Sequence, residues 1–172
     1  LKKRGAIVIG KANTPEFGSG SNTFNEVFGK TRNPWNTAMT CGGSSGGSAV
    51  SVATGMSWLA TGNDLGGSLR TPASFCSIVG LRPSVGRVAH GAGLMWKDIH
   101  QSLVAEGPLG RRVADVALML DAQSGRHPRD PKSLETPAIP FLQAAREPRA
   151  PKRVGYTPNL GIGPVDPEVD AI

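Results

Sequence analysis

Three short apolar runs along the chain have the pattern of β-strands. The segment "GAIVIG" at 5–10 is rich in β-branched residues and is bounded by glycine, which is typical of a buried strand. The segment "SWLATGND" at 57–64 has the same character, and "RVGY" at 153–156 predicts a further strand near the end of the chain. We therefore expect strands at these three places.

Helical periodicity is clearest at 112–125, in "RVADVALMLDAQSG". Its apolar positions fall on one face of a helix: Val113, Val116, Ala117 and Leu120. Gly125 stands where such a helix often ends. The small side chains of "GSAVSVATG" at 47–55 suit a tightly packed helix, and a short helical stretch starts at Phe141.

Residues 11–43 are rich in Asn, Gly, Pro, Thr and Ser and predict a long irregular segment. Elsewhere the predicted strands and helices alternate along the chain. Alternation of this kind indicates an α/β layered fold.

The composition is that of a globular protein. With 172 residues, of which 38% are apolar and 19% charged, the chain is long enough for one domain. No apolar run approaches the roughly 20 residues that a membrane span needs, and "AIVI" is too short for a signal peptide. The chain starts at Leu1 and stops in "DPEVDAI", a helix-like opening, so we expect residues 1–172 to be part of a single domain of a longer protein.

Cysteine, histidine and charge patterns exclude several classes of function. Cys41 and Cys76 give no disulfide framework and fit a reducing, cytoplasmic compartment. His90, His100 and His127 have no metal-ligand spacing, so no metal or other cofactor is expected. The net charge of +6 is densest in "REPRAPKR", which lacks aromatic residues and predicts a solvated connector rather than a nucleic-acid surface.

Two glycine motifs resemble known sites but are weak. "GAIVIGKA" at 5–12 matches a phosphate-binding loop except at Ala12, where a magnesium-binding hydroxyl is required, so Lys11 is interpreted as a residue at the end of a strand. "GGSSG" at 42–46 matches the nucleophile elbow of α/β-hydrolases with Ser44 at its centre. That interpretation needs an acid and a histidine, for which the chain offers Asp98 or Asp115 and His127.

The segment "GNDLGGSLR" at 62–70 is a stronger candidate for chemistry. Consecutive glycines before a serine let backbone N–H groups turn toward a bound oxygen without interference from a Cβ atom. An oxyanion hole has this geometry, although a turn without a catalytic role uses the same residue types. The motif taken alone leaves both interpretations open.

Together these motifs closely resemble the amidase signature family. The Gly-Gly-Ser-Ser-Gly-Gly tract is Gly42–Gly47, the Asp-x-Gly-Gly-Ser-x-Arg turn is Asp64–Arg70, and Ser44 lies 24 residues before Ser68, the family's usual interval. Further segments look like family blocks in family order, among them "GAIVIGKANTPEFG", "NEVFGKTRNPWN", "SFCSIVGLRPSVGRV", "GPLGRRVADVALMLDAQSG" and "VGYTPNLGIGPVDPEV". The resemblance implies a partial amidase-signature α/β fold, with a mixed β-sheet flanked by helices on both faces.

The resemblance also implies roles for individual residues. Ser68 would be the nucleophile that forms an acyl-enzyme, and Ser44 the bridging serine, preceded by a cis peptide bond, that passes protons to a lysine. The oxyanion donors would be the N–H groups of four residues: Leu65, Gly66, Gly67 and Ser68. Asp64 and Arg70 would brace the turn, and Ser45 would support the site by hydrogen bonding.

The third member of the family's Ser–Ser–Lys triad is not found in this sequence. In the family that lysine lies several tens of residues before the bridging serine, upstream of the block that "GAIVIGK" resembles. Lys11 and Lys30 fall in blocks where the family does not place its base. We therefore expect the catalytic lysine and a C-terminal part of the pocket to lie outside residues 1–172, and this chain alone to be nearly inactive.

The residues leave several alternatives open. The first is the glutaminase subunit of a transfer-RNA-dependent amidotransferase, but "AHGAGLMWKDIHQSLVAEGP" is closer to the general bacterial amidases. The others are the α/β-hydrolase with Ser44 as nucleophile and a non-catalytic relic.

The expected partner is a small-molecule amide, with a homodimer as the candidate assembly. Trp35, Met95 and Trp96 are candidates for an acyl pocket, although isolated large apolar residues are more often core or loop anchors.

Overall fold

The computed structural model describes residues 1–90 and 103–171. Its α-helices are α1 (Gly46–Ala53), α2 (Arg70–Phe75), α3 (Val113–Gln123), α4 (Phe141–Arg146) and α5 (Pro167–Asp170). Its strands are β1 (Phe24–Asn25), β2 (Gly29–Lys30), β3 (Leu59–Asp64), β4 (Val79–Gly80) and β5 (Ala105–Gly110). Short 3₁₀ helices cover Lys2–Arg4 and Glu16–Gly18.

The main sheet has three strands in the order β3, β5, β4. Leu59 pairs with Gly110 and Asp64 pairs with Ala105, so β3 runs antiparallel along the whole of β5. β4 pairs with the other edge of β5, also antiparallel, and β1 and β2 form a separate antiparallel hairpin. The predicted combination of sheet and helices is confirmed, and every strand pair in the described residues is antiparallel.

Helices cover both faces of the sheet, as predicted. Two glycines of β5 show this, because residues three apart on a strand point to opposite faces. A Cβ atom on Gly107 would meet Leu69, next to α2, whereas one on Gly110 would meet Val116 of α3. The sheet is therefore packed between α1 and α2 on one side and α3 on the other.

The hydrophobic core lies on the α1 and α2 side of the sheet. Its buried members are Cys41, Ala49, Val52, Leu69, Ala73, Cys76 and Leu109. Both cysteines are free and buried, and burial raises the pKa of the Cys41 thiol and raises that of Cys76 to about 11. These thiols therefore fill space in the core as small apolar groups.

The predicted helices are confirmed at α1, α3 and α4, and the strand predicted at 57–64 is β3. On α3, Val116, Ala117 and Leu120 are buried as expected, but Val113 in the first turn is 62% exposed. The sequence did not indicate β5, the central strand. Its run "AEGPLG" contains two glycines and a proline, which are depleted in strands.

Two predicted strands are wrong. Residues 5–10 and 153–156 form no strand, and their apolar side chains are largely exposed, as Ile7 (87%) and Tyr156 (83%) show. A strand needs a hydrogen-bonding neighbour, and neither segment pairs with another described strand.

The irregular segment predicted at 11–43 is interrupted by the β1–β2 hairpin. Within 1–90 and 103–171, none of the helices is long and apolar enough to cross a bilayer.

The tight packing at Gly107 makes a stability prediction. A Cβ atom there would meet Leu81 O and lie 2.7 Å from Leu69 Cδ1 and 2.9 Å from Pro83 Cδ. Gly107→Ala should therefore lower the free energy of unfolding by about 1–3 kcal/mol through overpacking. The matched control is Gly10→Ala, because a Cβ atom on Gly10 meets nothing within 4 Å. Urea unfolding of both variants measures the difference, and equal midpoints would contradict the packing argument.

Candidate active site

The glycine-serine tract at 42–47 is a shaped, buried loop rather than a flexible linker. All six residues of the tract are buried, and the peptide bond between Gly43 and Ser44 is cis. A Cβ atom on Gly43 would lie 2.8 Å from Asn22 N and 2.9 Å from Ser21 C, so the backbone of a neighbouring segment leaves no space for a side chain. The tract then leads directly into α1.

Thr23 holds the two ends of this tract together. Its buried hydroxyl donates to Gly42 O at 2.9 Å and accepts from Gly46 N at 3.1 Å. Gly46 is the first residue of α1, so this hydroxyl satisfies a backbone donor that the helix itself leaves without a partner. Thr23 thereby fixes the direction in which Ser44 and Ser45 enter the site.

Both serines of the tract are held by Asn63 of β3. The Ser44 hydroxyl donates to Asn63 Oδ1 at 3.3 Å, and the Ser45 hydroxyl donates to Asn63 O at 3.3 Å. Ser48 continues the contact along the strand by donating to Thr61 O at 2.9 Å. α1 is therefore aligned on β3 with its N-terminal serines at the end of the strand.

The tract and the turn at 64–70 meet at Ser45 and Ser68. Ser45 N donates to Ser68 O at 3.2 Å, which brings together segments that are far apart in sequence. A hydrogen bond between the Ser44 and Ser68 hydroxyls is expected for bridging and nucleophilic serines. No hydrogen bond joins these two hydroxyls within the described residues, and the Ser44 hydroxyl donates to Asn63 Oδ1. Ser68 is partly buried.

Asp64 organises the turn that carries Ser68. Its side chain is fully buried, and its carboxylate accepts from Gly67 N at 2.8 Å and from Leu69 N at 3.0 Å. Burial alone would raise the pKa of Asp64. Hydrogen bonds from Arg70 and from the amides of Leu69 and Gly67 outweigh it and hold the pKa of Asp64 well below its ordinary value. The group is therefore an anion at neutral pH.

Two arginines neutralise this buried carboxylate. Arg70 donates from Nε to Oδ2 at 3.1 Å and from a terminal nitrogen to Oδ1 at 3.0 Å, and the pKa of Arg70 is raised by this contact with Asp64. Arg82 donates to Oδ1 at 3.1 Å and also to the backbone oxygen of Asp64. The pairing of Asp64 with Arg70 agrees with the bracing role that the resemblance implies for them.

One of the four expected oxyanion donors is already hydrogen-bonded inside the turn. The Gly67 N–H group is directed to Asp64 Oδ1, so it already has an acceptor inside the turn. The N–H groups of Leu65, Gly66 and Ser68 have no acceptor among residues 1–90 and 103–171. The expectation for Gly67 is therefore corrected, and the role of the other three amides stays a prediction.

The residues of the competing interpretations lie elsewhere. Within the described chain, Ser44 makes no hydrogen bond to a histidine, and His127 Nδ1 accepts from Arg129 N in a local turn. Asp115 lies in the first turn of α3, and Asp98 lies outside the described residues. Lys11 and Lys30 are exposed, and neither is hydrogen-bonded to Ser44 or Ser68 within the described chain.

Of the three expected acyl-pocket residues, the structure describes Trp35 alone. Trp35 is 66% exposed and donates from its indole nitrogen to Cys76 O at 2.9 Å, which anchors the irregular segment to the end of α2. Met95 and Trp96 lie outside the described residues.

Three residues that support the site were not predicted from the sequence. Thr23 lies in a segment whose pattern indicates only an irregular path, and Asn63 and Arg82 belong to motifs whose distinctive residues are glycine and serine. Of these three, only Arg82 could have been noticed in the sequence. It follows a run of apolar residues, and an arginine buried beside such a run needs a carboxylate partner.

The fold is shared with solved amide hydrolases. A structure of 6-aminohexanoate cyclic dimer hydrolase complexed with substrate superposes with a TM-score of 0.73 and 43% sequence identity, over 78% of this chain and 28% of that protein. The described residues thus have the α/β architecture of that class of enzymes. The family model described as Amidase matches residues 1–172, and the chain belongs to the amidase family.

Similar sequences include enzymes with different roles. The chain is 42% identical to a glutamyl-tRNA(Gln) amidotransferase subunit of Synechococcus sp. (strain RCC307), over 99% of this chain and 35% of the relative. It is 41% identical to an acylamidase of Rhodococcus erythropolis, over 100% of this chain and 35% of the relative. The chain thus spans about a third of the length of these curated relatives.

The buried carboxylate makes a testable prediction. Asp64→Asn keeps the size of the side chain but removes the charge that Arg70 and Arg82 neutralise and replaces one acceptor oxygen by a donor. Breaking a buried ion pair typically costs about 3–5 kcal/mol, so the variant should be destabilised by about 3 kcal/mol at pH 7. Asp170→Asn, at an exposed position in α5, is the matched control.

The effect should depend on pH in a defined direction. Because the pKa of Asp64 is lowered in the folded state, its stabilising contribution is complete above the unfolded-state pKa of about 3.9. The contribution is lost as pH falls below that value toward the folded pKa. Urea unfolding at several pH values should show the wild type and Asp64→Asn converging only below about pH 4. Equal unfolding free energies of the two proteins already at pH 6 would contradict the lowered pKa of Asp64.

Proposed function

We propose that the protein to which this chain belongs hydrolyses a carboxylic amide through a serine acyl-enzyme, with Ser68 as nucleophile. The observation that carries the proposal is the junction of Ser45 N with Ser68 O, which joins the buried serine tract to a turn with three amides that have no acceptor among the described residues. Membership of the amidase family and similarity to an acylamidase support it.

Ser68 and three amides of the turn have chemical tasks in this proposal. The Ser68 oxygen bonds to the amide carbon, and its proton passes through Ser44 to a base. The carbonyl oxygen becomes an oxyanion, which the N–H groups of Leu65, Gly66 and Ser68 stabilise. The C–N bond then breaks as the nitrogen takes up a proton, and water hydrolyses the resulting ester to release the acid and regenerate Ser68.

The bridging role of Ser44 requires its hydroxyl to turn. In the structure this hydroxyl donates to Asn63 Oδ1, in a bond of 3.3 Å that is longer than a strong O–H···O contact. Rotation about one side-chain bond would release this donated hydrogen bond, so that Ser44 gives its own proton to the base while its oxygen receives the proton of Ser68. Asn63 therefore serves as the resting acceptor of Ser44, and Ser45 keeps the strand in place through its own bond to Asn63 O.

A glutaminase subunit of a transfer-RNA-dependent amidotransferase is a second candidate. The similarity to a glutamyl-tRNA(Gln) amidotransferase subunit favours it, because the identity of 42% is as high as the 41% to the acylamidase. Both candidates use the same serine chemistry on an amide. They differ in whether ammonia is released to water or delivered to a second reaction.

The proposed partner is a small-molecule amide, and the proposed assembly is a homodimer for a general amidase. A cytoplasmic location is proposed on the two free, buried thiols, which a reducing compartment keeps in this state.

Substitution of the nucleophile tests the proposal directly. In the full-length protein, Ser68→Ala should abolish hydrolysis of an aryl amide and covalent labelling by a fluorophosphonate, while the thermal midpoint stays close to that of the wild type. The control is Ser74→Ala, at an exposed position of α2. Peptide mass spectrometry should place the label on Ser68. A label on Ser44 that persists in Ser68→Ala would instead support the nucleophile-elbow interpretation.

The position of the base is tested by comparing three proteins on the same substrate. Residues 1–172 alone, the full-length protein, and the full-length protein with its upstream lysine changed to alanine are assayed side by side. We expect the first and third to lose about 10²–10⁴-fold or more in turnover, since a positioned base contributes that factor. Activity of residues 1–172 equal to that of the full-length protein would show that Lys11, Lys30 or a histidine supplies the base.

A further inference from the structure

Arg82 connects the turn that carries Ser68 to a different element of the fold. One terminal nitrogen of its guanidinium donates to both the carboxylate and the backbone oxygen of Asp64. The other terminal nitrogen donates to Leu103 O at 2.6 Å, two residues before β5. The side chain is 23% exposed, and its bonds to Asp64 are partly buried, whereas its bond to Leu103 O lies at the surface.

The backbone of Arg82 is itself fixed on the central strand. The preceding residue, Leu81, donates from its N–H group to Pro108 O of β5 at 3.1 Å. The carbonyl of Leu81 also packs closely on Gly107, where a Cβ atom would have no space. Arg82 therefore leaves the sheet from a defined point, and its side chain spans from β5 to the C-terminal end of β3.

Arg70 contacts the same carboxylate but holds it in a different way. Arg70 is the last residue of the turn and is 56% exposed, so its bond to Asp64 closes the turn on itself. The backbone of Asp64 pairs with Ala105 at the start of β5, and Arg82 adds a tie from the Asp64 carboxylate to Leu103 O, which neither Arg70 nor the amides of Gly67 and Leu69 provide. Because this carboxylate binds the amides on both sides of Ser68, any shift of the Asp64 side chain relative to the sheet moves Ser68 with it.

We propose that Arg82 is a positioning residue for catalysis, which fixes Ser68 and the neighbouring amides relative to the sheet by holding Asp64 Oδ1, Asp64 O and Leu103 O at once. The proposal rests on the proposed amide hydrolysis at Ser68. A lysine has one nitrogen and no planar fork, so it does not hold Asp64 and Leu103 together. The role therefore requires a guanidinium and not merely a positive charge.

The experiment uses the full-length protein with Arg82→Ala, Arg82→Lys and Arg82→Gln, and Arg146→Ala, at an exposed position in α4, as the control. Misplacement of reacting groups by about 1 Å costs on the order of 10²-fold, so kcat should fall about 10²-fold in all three Arg82 variants with KM nearly unchanged. The rate of fluorophosphonate labelling should fall in parallel. Guanidinium at a sub-denaturing concentration should restore part of kcat to Arg82→Ala and leave the control unchanged.

The outcomes separate this proposal from the proposed function. If Ser68→Ala is inactive while folded Arg82→Lys has the kcat of the wild type, the positioning role is overturned and the nucleophile stands. If Ser68→Ala keeps its activity, the proposed function is overturned, and the proposal for Arg82, which rests on it, is overturned with it. A rise in KM with kcat unchanged would assign Arg82 to substrate binding, and failure of all three Arg82 variants to fold would assign it to folding alone. Either result would overturn the proposal.

Discussion

The carboxylate of Asp64, fully buried yet ionised, is the constraint on which the geometry around Ser68 depends. A charge in a protein interior is stable only where donors surround it, and here three backbone amides and two arginines supply them. Hydrogen bonds to a charged group contribute more than neutral ones, about 1.5–3 kcal/mol each. The turn therefore adopts a path that directs the amides of Gly67, Leu69 and Arg70 to this group.

The sheet explains why Asp64 stands where it does. β3 is paired with β5 along its whole length, and Asp64 is the last residue of that pairing. The starts of α1 and α2 both lie near this end of the strand, and each follows closely after a serine of the candidate site. Two loops that precede helices thus converge on one strand end. The core on this side of the sheet, which includes Leu69 and Val52, holds both helices against it.

The sequence predicted the local parts of this arrangement better than the long-range ones. The amphipathic spacing of α3 and the glycine-serine motifs are local patterns, and they located a helix and both serine loops correctly. The segment at 5–10 failed because β-branched residues report strand propensity and not the presence of a pairing partner. β5 was missed because its glycines are required by close neighbours on both faces, a reason that is invisible without the packing.

In the candidate site, too, local patterns were easier to predict from the sequence than long-range contacts. Motifs alone predict site roles for five residues, since each lies in a segment whose composition is unusual: Ser44, Ser45, Asp64, Ser68 and Arg70. Thr23, Asn63 and Arg82 were not predicted, because their importance arises from contacts across 18 to 23 residues of sequence. The use of Gly67 N–H within the turn likewise follows from the direction of one carboxylate, which no residue pattern encodes.

The two free thiols provide an internal reporter of whether this region is closed. Cys41 directly precedes the serine tract and Cys76 directly follows α2, so they flank both loops of the candidate site. Their raised pKa values and complete burial make them unreactive toward alkylating reagents while the core is intact, since the thiolate is the reactive form. The rate at which a thiol reagent modifies the folded protein therefore measures how often the loops that carry Ser44 and Ser68 separate from the sheet.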